Sequence, residues 1–182
     1  MWALFYGIEP LQYHYSLDWN FVRDIMEIRK IEENDIETAI KIYNSNGDFL
    51  THHLGCNIID EEFIVGEIKE MSEHGFLSNF VVMNGVPIAI IDYMQNDNGY
   101  VYLSLLMLSS ELQNKGLGKN VYQHFEANVR CCGASKIRID VVDDYDNNVV
   151  PFWEKMGFVK TRRDELTWGK KTSSVTVMEK LL

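Results

Sequence analysis

Residues 113–118, Gln-Asn-Lys-Gly-Leu-Gly, decide the fold because a strand is expected before them and a helix after them. The strand is predicted over Tyr100 to Leu108, a nearly continuous apolar run that is typical of a strand covered on both faces. The helix is predicted from Leu117 onward. Glycines let the backbone approach an anion closely, and the first turn of a helix offers unpaired N–H groups with partial positive charge. The stretch therefore predicts a phosphate or pyrophosphate site.

Other glycine motifs fit these residues less well. A dinucleotide motif, G-x-G-x-x-G, would need a third glycine where Val121 stands. A Walker A loop would end in Gly-Lys-Ser/Thr after an earlier glycine. Lys119 does follow Gly118, but Gln113 replaces the first glycine and Asn120 replaces the hydroxyl. A glycine turn that binds no ligand is the remaining alternative.

The chain before this stretch begins with a short strand, followed by two helices. Asn34 and Glu37 form the pattern of a capping box at the start of the first helix, and Gly47 follows its end. The strand is expected at Met26–Ile31, a loop at Asn44–Asn57, and the second helix from Asp60 to about Ser72.

The rest of the chain is mostly strands. Asn84-Gly85 is a hairpin signal, and Asn147 or Asn148 is expected to cap a short helix that ends at Gly157. The predicted strands are Asn79–Met83, Val86–Gln95, Lys136–Val142, Phe158–Arg163 and Val175–Leu181. This order predicts a mixed α/β fold whose first strands are largely antiparallel.

Composition restricts the classes of partner. A chain of 182 residues suits one domain, and a net charge of −10 argues against nucleic acid while agreeing with a cationic substrate. No apolar run is long enough for a membrane span, and Met1 to Ile8 lacks the features of a signal peptide. Three cysteines without disulfide or metal spacing indicate the reducing cytoplasm and no metal site.

Two segments together resemble a known family. Residues 106–118, from Leu106 to Gly118, resemble the coenzyme A motif of the GNAT N-acetyltransferase superfamily, a strand followed by Q/R-x-x-G-x-G/A and a helix. Residues 147–158, Asn-Asn-Val-Val-Pro-Phe-Trp-Glu-Lys-Met-Gly-Phe, resemble its second signature. The order of predicted elements also agrees from Met26 onward. The resemblance implies a GNAT domain over residues 26–182, with residues 1–25 as an aromatic N-terminal extension that is dispensable for coenzyme binding.

The resemblance implies a central, mostly antiparallel sheet flanked by helices, and acetyl-CoA as the cosubstrate. The strand at residues 106–108 would pair with the pantetheine arm, and a backbone N–H there, such as that of Leu108, would polarise the thioester carbonyl. The loop and helix start would hold the pyrophosphate, and one of two asparagines would also contact the coenzyme. The implied coenzyme-binding residues are Leu106, Met107, Leu108, Gln113, Asn114, Lys115, Gly116, Leu117, Gly118, Lys119, Asn147 and Asn148.

The implied reaction is direct attack of an amine on the thioester in a ternary complex. An alkylamine has a pKa of about 10.4, so a base must remove its proton at neutral pH. Asp92 is preferred over Asp140 because its strand neighbours the expected cofactor strand. Many family members have a tyrosine at the position of Trp153 as the acid for the thiolate. Here solvent, Tyr145 or Tyr122 would have to serve.

The acceptor is expected to be a small-molecule or peptide amine. The predicted helix after Asp60 carries six acids up to Glu73 and a single base, Lys69, which favours a cationic amine. The sequence is also compatible with a homodimer. A GNAT module that binds acyl-CoA without turnover, as a sensor or regulatory subunit, is the alternative from another functional class.

Overall fold

The computed structural model describes residues 25–146 and 148–182. The described chain contains seven strands and five α-helices. In chain order they are β1 Met26–Lys30, α1 Ile36–Asn44, α2 Gly47–Leu54, α3 Glu61–Glu73, β2 Leu77–Met83, β3 Val86–Gln95, β4 Tyr100–Leu108, α4 Leu117–Cys131, β5 Lys136–Val142, α5 Val150–Lys155, β6 Val159–Trp168 and β7 Lys171–Leu181.

One mixed sheet carries all seven strands, in the order β1-β2-β3-β4-β5-β7-β6. Every neighbouring pair is antiparallel except β4 and β5, which run parallel. The prediction of a mixed, mostly antiparallel sheet flanked by helices is confirmed. The turn at Asn84 and Gly85 has positive φ at both residues, 52° and 81°, as a tight hairpin between β2 and β3 requires.

Two hydrophobic clusters cover the two faces of the sheet. On one face, α4 packs Val121, Phe125 and Val129 against β3, β4 and β5. On the other face, α1, α2 and α3 pack against β2, β3 and β4 through Ile42, Leu50, Ile64 and their neighbours. Since β4 contributes to both clusters, its nearly continuous apolar sequence follows from burial on both sides.

The predicted loop over residues 44–57 was wrong, because α2 occupies most of it. Leu50 and Leu54 lie one turn apart on α2 and are buried, which stabilises a helix of only eight residues. Gly47 consequently begins α2, although the sequence predicted that it would close the preceding helix.

The start of the first helix also differs from the prediction. Asp35 accepts a hydrogen bond from the Glu32 N–H at 3.0 Å, so the cap lies two residues before the predicted Asn34 and Glu37. By contrast, the helix predicted from Asp60 to about Ser72 is present as α3, and Asp60 is its N-cap, because its side chain accepts from the Phe63 N–H at 2.9 Å.

The last hairpin is longer than its sequence pattern predicted. β6 continues to Trp168 and β7 begins at Lys171, so the two strands pair over most of residues 159–179. β6 is an exposed edge strand with few buried side chains, and such a strand lacks the alternating pattern that marks a buried face.

The N-terminal extension predicted over residues 1–25 lies outside the described residues except for Ile25, so its dispensability stays a prediction. No helix within the described ranges is both long and apolar enough to cross a membrane.

Candidate functional site

The candidate site begins where the parallel strands β4 and β5 separate. They pair only from Tyr100 with Lys136 to Tyr102 with Arg138. Beyond that point β4 continues to Leu108 and β5 to Val142 without pairing to each other. The sheet therefore opens into a cleft between these two strands, and the backbone of β4 along the cleft has no strand partner on that side.

Backbone direction along β4 decides which residues can bind a ligand in the cleft. The Ser109 N–H donates to the Ile88 carbonyl of β3 at 2.9 Å. Because backbone groups alternate in direction along a strand, the N–H groups of Leu106 and Leu108 point the other way, toward the cleft. Met107 lies between them, opposite Ile90 in the β3 pairing.

A loop rich in unpaired backbone donors closes one end of the cleft. Within the described chain, the N–H groups of residues 114–118 have no hydrogen-bond acceptor. Asn114 and Gly116 have φ of 58° and 80°, the left-handed region that such a curved loop needs. α4 begins at Leu117, so its free first turn lies at the same place. The loop can bind an anion such as a pyrophosphate.

Gln113 fixes this loop to the helices on the other side of the sheet. Its amide donates to Asn46 Oδ1 at 2.6 Å and to the Leu108 carbonyl at 3.1 Å. Asn46 is buried and donates to the same carbonyl at 3.1 Å. The side chain of Gln113 thus positions the loop against the end of β4, a role that the glycine pattern alone did not indicate.

Of the two asparagines before α5, the structure describes only the second. Asn147 lies outside the described residues. Asn148 accepts from the Val150 N–H at 3.1 Å and donates to the Tyr145 carbonyl at 3.2 Å. Its side chain therefore caps α5, as one of the two asparagines was predicted to do.

Trp153 lies in the hydrophobic core. It is 7% exposed and packs edge-on against Tyr122 and at a steep angle against Phe158, with both ring centroids 5.4 Å away. Tyr122 is buried as well, and its pKa is raised by burial and by the Glu126 carboxylate near its hydroxyl. Of the two tyrosines considered as acids, Tyr122 is therefore enclosed in the core, whereas Tyr145 follows β5 and is partly exposed.

Tyr145 connects the loop after β5 to α2. Its ring stacks on His52 at 4.2 Å, while the neighbouring His53 stacks on Phe49 at 3.8 Å. Burial lowers the pKa of His53 to about 4, and its Nδ1 lies 2.9 Å from the Phe49 carbonyl. His53 is therefore neutral at physiological pH, and this end of the cleft gains no positive charge from it.

The tip of the β6–β7 hairpin reaches α2 and α3. Trp168 donates from Nε1 to Glu67 Oε1 at 2.8 Å and meets Phe49 edge-on at 6.2 Å. Lys171 donates to the His52 carbonyl. The hairpin tip is thereby held against α2 and α3, with the Phe49 and Trp168 rings beside the half-buried Glu67 carboxylate.

Asp92 is the candidate base. It lies on β3 directly opposite Leu105 of β4, one residue from Leu106, and only 4% of it is exposed. Burial raises its pKa to about 7, the Ser78 hydroxyl opposes this rise, and nearby Glu67 adds to it. Its Oδ1 atom is buried without a hydrogen-bond partner in the described chain. A group that titrates near neutrality with an unused acceptor can exchange a proton at physiological pH.

Asp140, the other strand carboxylate considered, is already engaged. Arg138 donates to both of its oxygens, at 2.8 and 2.6 Å, and Tyr102 donates to it at 3.0 Å. This bidentate pair occupies both oxygens of Asp140 and orders the place where β4 and β5 separate.

Sequence reasoning did not single out Glu67 and Trp168 as site residues. Glu67 was one of six acids in its segment, and its partner Trp168 lies 101 residues away. A carboxylate flanked by Ile64 and Ile68, both on the buried side of α3, was the signal that could have distinguished it from its neighbours.

Comparison with known proteins agrees with this architecture. The sequence matches the model of the Acetyltransferase (GNAT) family over residues 39–158. No curated protein sequence matches the chain significantly.

Solved structures of acetyltransferases share the fold. An acetyltransferase from Thermus thermophilus has a TM-score of 0.69 at 15% identity, covering 86% of this chain and 97% of its own. Spermidine N-acetyltransferase from Vibrio cholerae, in complex with CoA and spermine, has a TM-score of 0.65 at 15% identity, covering 86% and 95%. PaiA N-acetyltransferase from Thermoplasma acidophilum, in complex with coenzyme A, has 0.58 at 24% identity, covering 87% and 99%.

Proposed function

Because the chain belongs to the GNAT acetyltransferase family, we propose that it is an N-acetyltransferase that moves the acetyl group of acetyl-CoA to a primary amine. The observation that carries the proposal is the separation of β4 from β5 beside a loop of five unpaired N–H groups. Similar structures have been crystallised with coenzyme A, which supports an acyl-CoA in this cleft.

The coenzyme would use backbone groups along its length. The pyrophosphate would accept from the free N–H groups of the loop and the first turn of α4, residues 114–118. The pantetheine arm would run along β4 and pair with the backbone of Leu106 and with the N–H of Leu108, which point into the cleft, while the Leu108 carbonyl already accepts from Asn46 and Gln113. Asn148 and the start of α5 would form the opposite wall.

Chemistry would take place at the end of the cleft near Asp92. The amine nitrogen attacks the thioester carbon, and the Leu108 N–H stabilises the negative charge that develops on the oxygen. The C–S bond then breaks as the C–N bond is completed. The amine proton passes to Asp92 through a bridging water, because so little of this side chain is exposed. The thiolate takes a proton from solvent or from Tyr145.

Trp153 favours a second candidate, a GNAT module that binds acyl-CoA without turnover. A buried indole cannot return a proton to the thiolate, so this position lacks the acid that many relatives use. Release of free thiol in the presence of an amine distinguishes the two candidates.

The test incubates the protein with acetyl-CoA and a panel of primary amines and measures thiol release and acetylated product. An enzyme gives both in equal amounts, with an amine-free reaction as the control. Coenzyme binding without product for any amine would support the silent module. Failure of acetyl-CoA at millimolar concentration to raise the unfolding temperature would contradict both candidates.

The cellular location is proposed from the thiols. Cys56, Cys131 and Cys132 are free and exposed, which supports the reducing cytoplasm.

A further inference from the structure

Two carboxylates that lie near enough to influence each other electrostatically lack a cation. Within residues 25–146 and 148–182, neither Asp92 nor Glu67 forms an ion pair, whereas the other largely buried acids do. Those pairs are Asp35 with Arg29, Glu126 with Arg130 and Lys180, Asp140 with Arg138, and Asp143 with Arg163. An unpaired buried charge is costly, so a protein that pairs its other acids is expected to pair these two when its ligand is bound.

Glu67 differs from the other acids of its helix. Asp60, Glu61, Glu62, Glu70 and Glu73 are exposed, while Glu67 is half-buried and oriented by the Trp168 N–H. Glu67 and Asp92 lie close enough that each raises the pKa of Tyr43, which is itself buried. Asp92 also has an unpartnered, buried oxygen. Two separate acceptors of positive charge thus lie near the same buried residue, Tyr43.

The surface beside these carboxylates is apolar. The ring of Phe49, a residue of α2, meets the ring of Trp168 edge-on, with the two centroids 6.2 Å apart. Both rings pack on the hydrophobic cluster that includes Leu50 and Leu105. Aromatic and aliphatic walls suit a methylene chain and also attract an alkylammonium. The lining therefore complements an unbranched hydrocarbon with a charge at each end.

We propose that the acceptor is a linear diamine, of which one amine reacts beside Asp92 while the second, still an ammonium, is held by Glu67. This inference rests on the proposed N-acetyltransferase function and names its substrate class. It makes Glu67 a specificity-determining residue. Acetylation removes only the charge beside Asp92, so the product keeps one ammonium for Glu67 and fits the pocket less well than the substrate.

A purely structural role for Glu67 would be to hold the β6–β7 hairpin through Trp168. Glu67→Gln separates the two roles, because a glutamine oxygen still accepts from Trp168 Nε1 but carries no charge. Glu73→Gln is the matched control, since Glu73 lies on the same helix, is exposed and is farther from Glu67 than Glu70, whose charge raises the pKa of Glu67.

The experiment compares putrescine with n-butylamine as acceptors for acetyl-CoA, in the wild type and in both variants. We expect wild-type kcat/KM for putrescine to exceed that for n-butylamine by at least about tenfold. Glu67→Gln should reduce this ratio about tenfold, mainly through KM. Glu73→Gln should leave the ratio unchanged.

Calorimetric titration of each amine into the protein saturated with coenzyme A provides a readout without turnover. Putrescine should bind at least about tenfold more tightly than n-butylamine, and Glu67→Gln should remove the difference. Equal kcat/KM for both amines in the wild type would overturn this inference alone. So would an unchanged ratio in Glu67→Gln. Acetylation of neither amine, with coenzyme A still bound, would count against the proposed function and this inference together.

Discussion

The two ends of the candidate cleft are built from different kinds of polar group. At the coenzyme end the donors belong to the backbone, the N–H groups of residues 114–118 and of Leu106 and Leu108. At the acceptor end the polar groups are side chains, the carboxylates of Asp92 and Glu67 beside aromatic rings. The first end is fixed by the path of the chain, and the second by the identity of a few residues.

This difference suggests how the protein can change its substrate without losing its coenzyme. A backbone site depends on glycines and on a helix start, which few substitutions improve or replace. A side-chain site changes with each substitution that alters charge or volume. We therefore expect substitutions at the acceptor end to alter rates strongly, and substitutions of side chains at the coenzyme end to alter affinity weakly.

The largest effect is expected from Asp92→Asn. Removing a general base should lower kcat/KM for the amine by about a thousandfold. The wild-type rate should fall as pH drops through about 7, because burial raises the pKa of Asp92 to about 7 and the protonated form cannot accept a proton. The variant should lose this acid limb.

Rates measured from about pH 5.5 to about pH 9 bracket that pKa and test this expectation. Asp97→Asn is the control, since Asp97 lies exposed in the β3–β4 turn. A variant that keeps its rate and its acid limb would assign proton removal to another group.

The next largest effect concerns the loop at the coenzyme end. Replacing Gly118 by leucine should abolish coenzyme binding, because the added side chain occupies the space beside the free N–H groups. A Cβ at this position would be 3.9 Å from the Phe152 ring, an ordinary contact, so we expect the fold to tolerate the change.

Binding of coenzyme A at a hundredfold its dissociation constant should stabilise the wild type by about 2.7 kcal/mol, a shift that the variant should lack. Gly66→Leu is the matched control, a helical glycine with open space around it. A normal thermal shift in Gly118→Leu would mean that the pyrophosphate does not bind at this loop.

Sequence patterns predicted an element correctly where a long segment had apolar residues on one or both of its faces. β3, β4 and β5 have the predicted bounds because their β-branched and apolar residues are buried against helices. α2 was missed because its signal consists of Leu50 and Leu54 in eight residues that begin with a glycine. Such a helix depends on tertiary packing, which local sequence does not contain.

The candidate site, too, could be predicted from the sequence only in part. The position of the glycine loop between β4 and α4 could be predicted because the three are contiguous in sequence, and the place of Asp92 on the strand beside β4 could be predicted as well. The coenzyme role of the loop and the role of Asp92 as a base stay predictions. The role of Glu67 could not be predicted, because it depends on Trp168 at the tip of a hairpin that follows two more helices and four strands. Long-range contacts of this kind select one acid from several that look equivalent.

A smaller effect is expected on stability, again at Asp92. In the unfolded chain its pKa returns to about 3.9, whereas burial holds it at about 7 in the fold. Between these values the folded state binds the extra proton, so stability falls as pH rises from about 4 to 7. At about pH 8 the ionised carboxylate is buried beside Glu67 with no cation in the described chain. Asp92→Asn should therefore increase the free energy of unfolding by about 2 to 3 kcal/mol more at about pH 8 than at about pH 5.

Urea unfolding of both proteins at about pH 5 and about pH 8 measures this effect. At the lower pH the side chain is protonated in the fold but largely ionised in the unfolded chain, so the variant should gain less there than at about pH 8. If the difference in the free energy of unfolding between the two proteins is the same at both pH values, Asp92 is solvated or paired in solution. That result would weaken its assignment as the base.

The smallest effect is expected from Lys115→Ala, and it tests the backbone nature of the coenzyme end directly. Lys115 is exposed in the loop, and an exposed lysine contributes little to an ion pair because water screens the charge. The N–H groups that we assign to the pyrophosphate do not depend on this side chain, so the dissociation constant for coenzyme A should rise by less than about fivefold. Calorimetric titration measures the change, and Lys170→Ala, an exposed lysine at the hairpin turn, controls for loss of overall positive charge. A loss of about a hundredfold or more in Lys115→Ala alone would mean that this lysine, rather than the backbone, holds the phosphates, and the two ends of the cleft would then both be built from side chains.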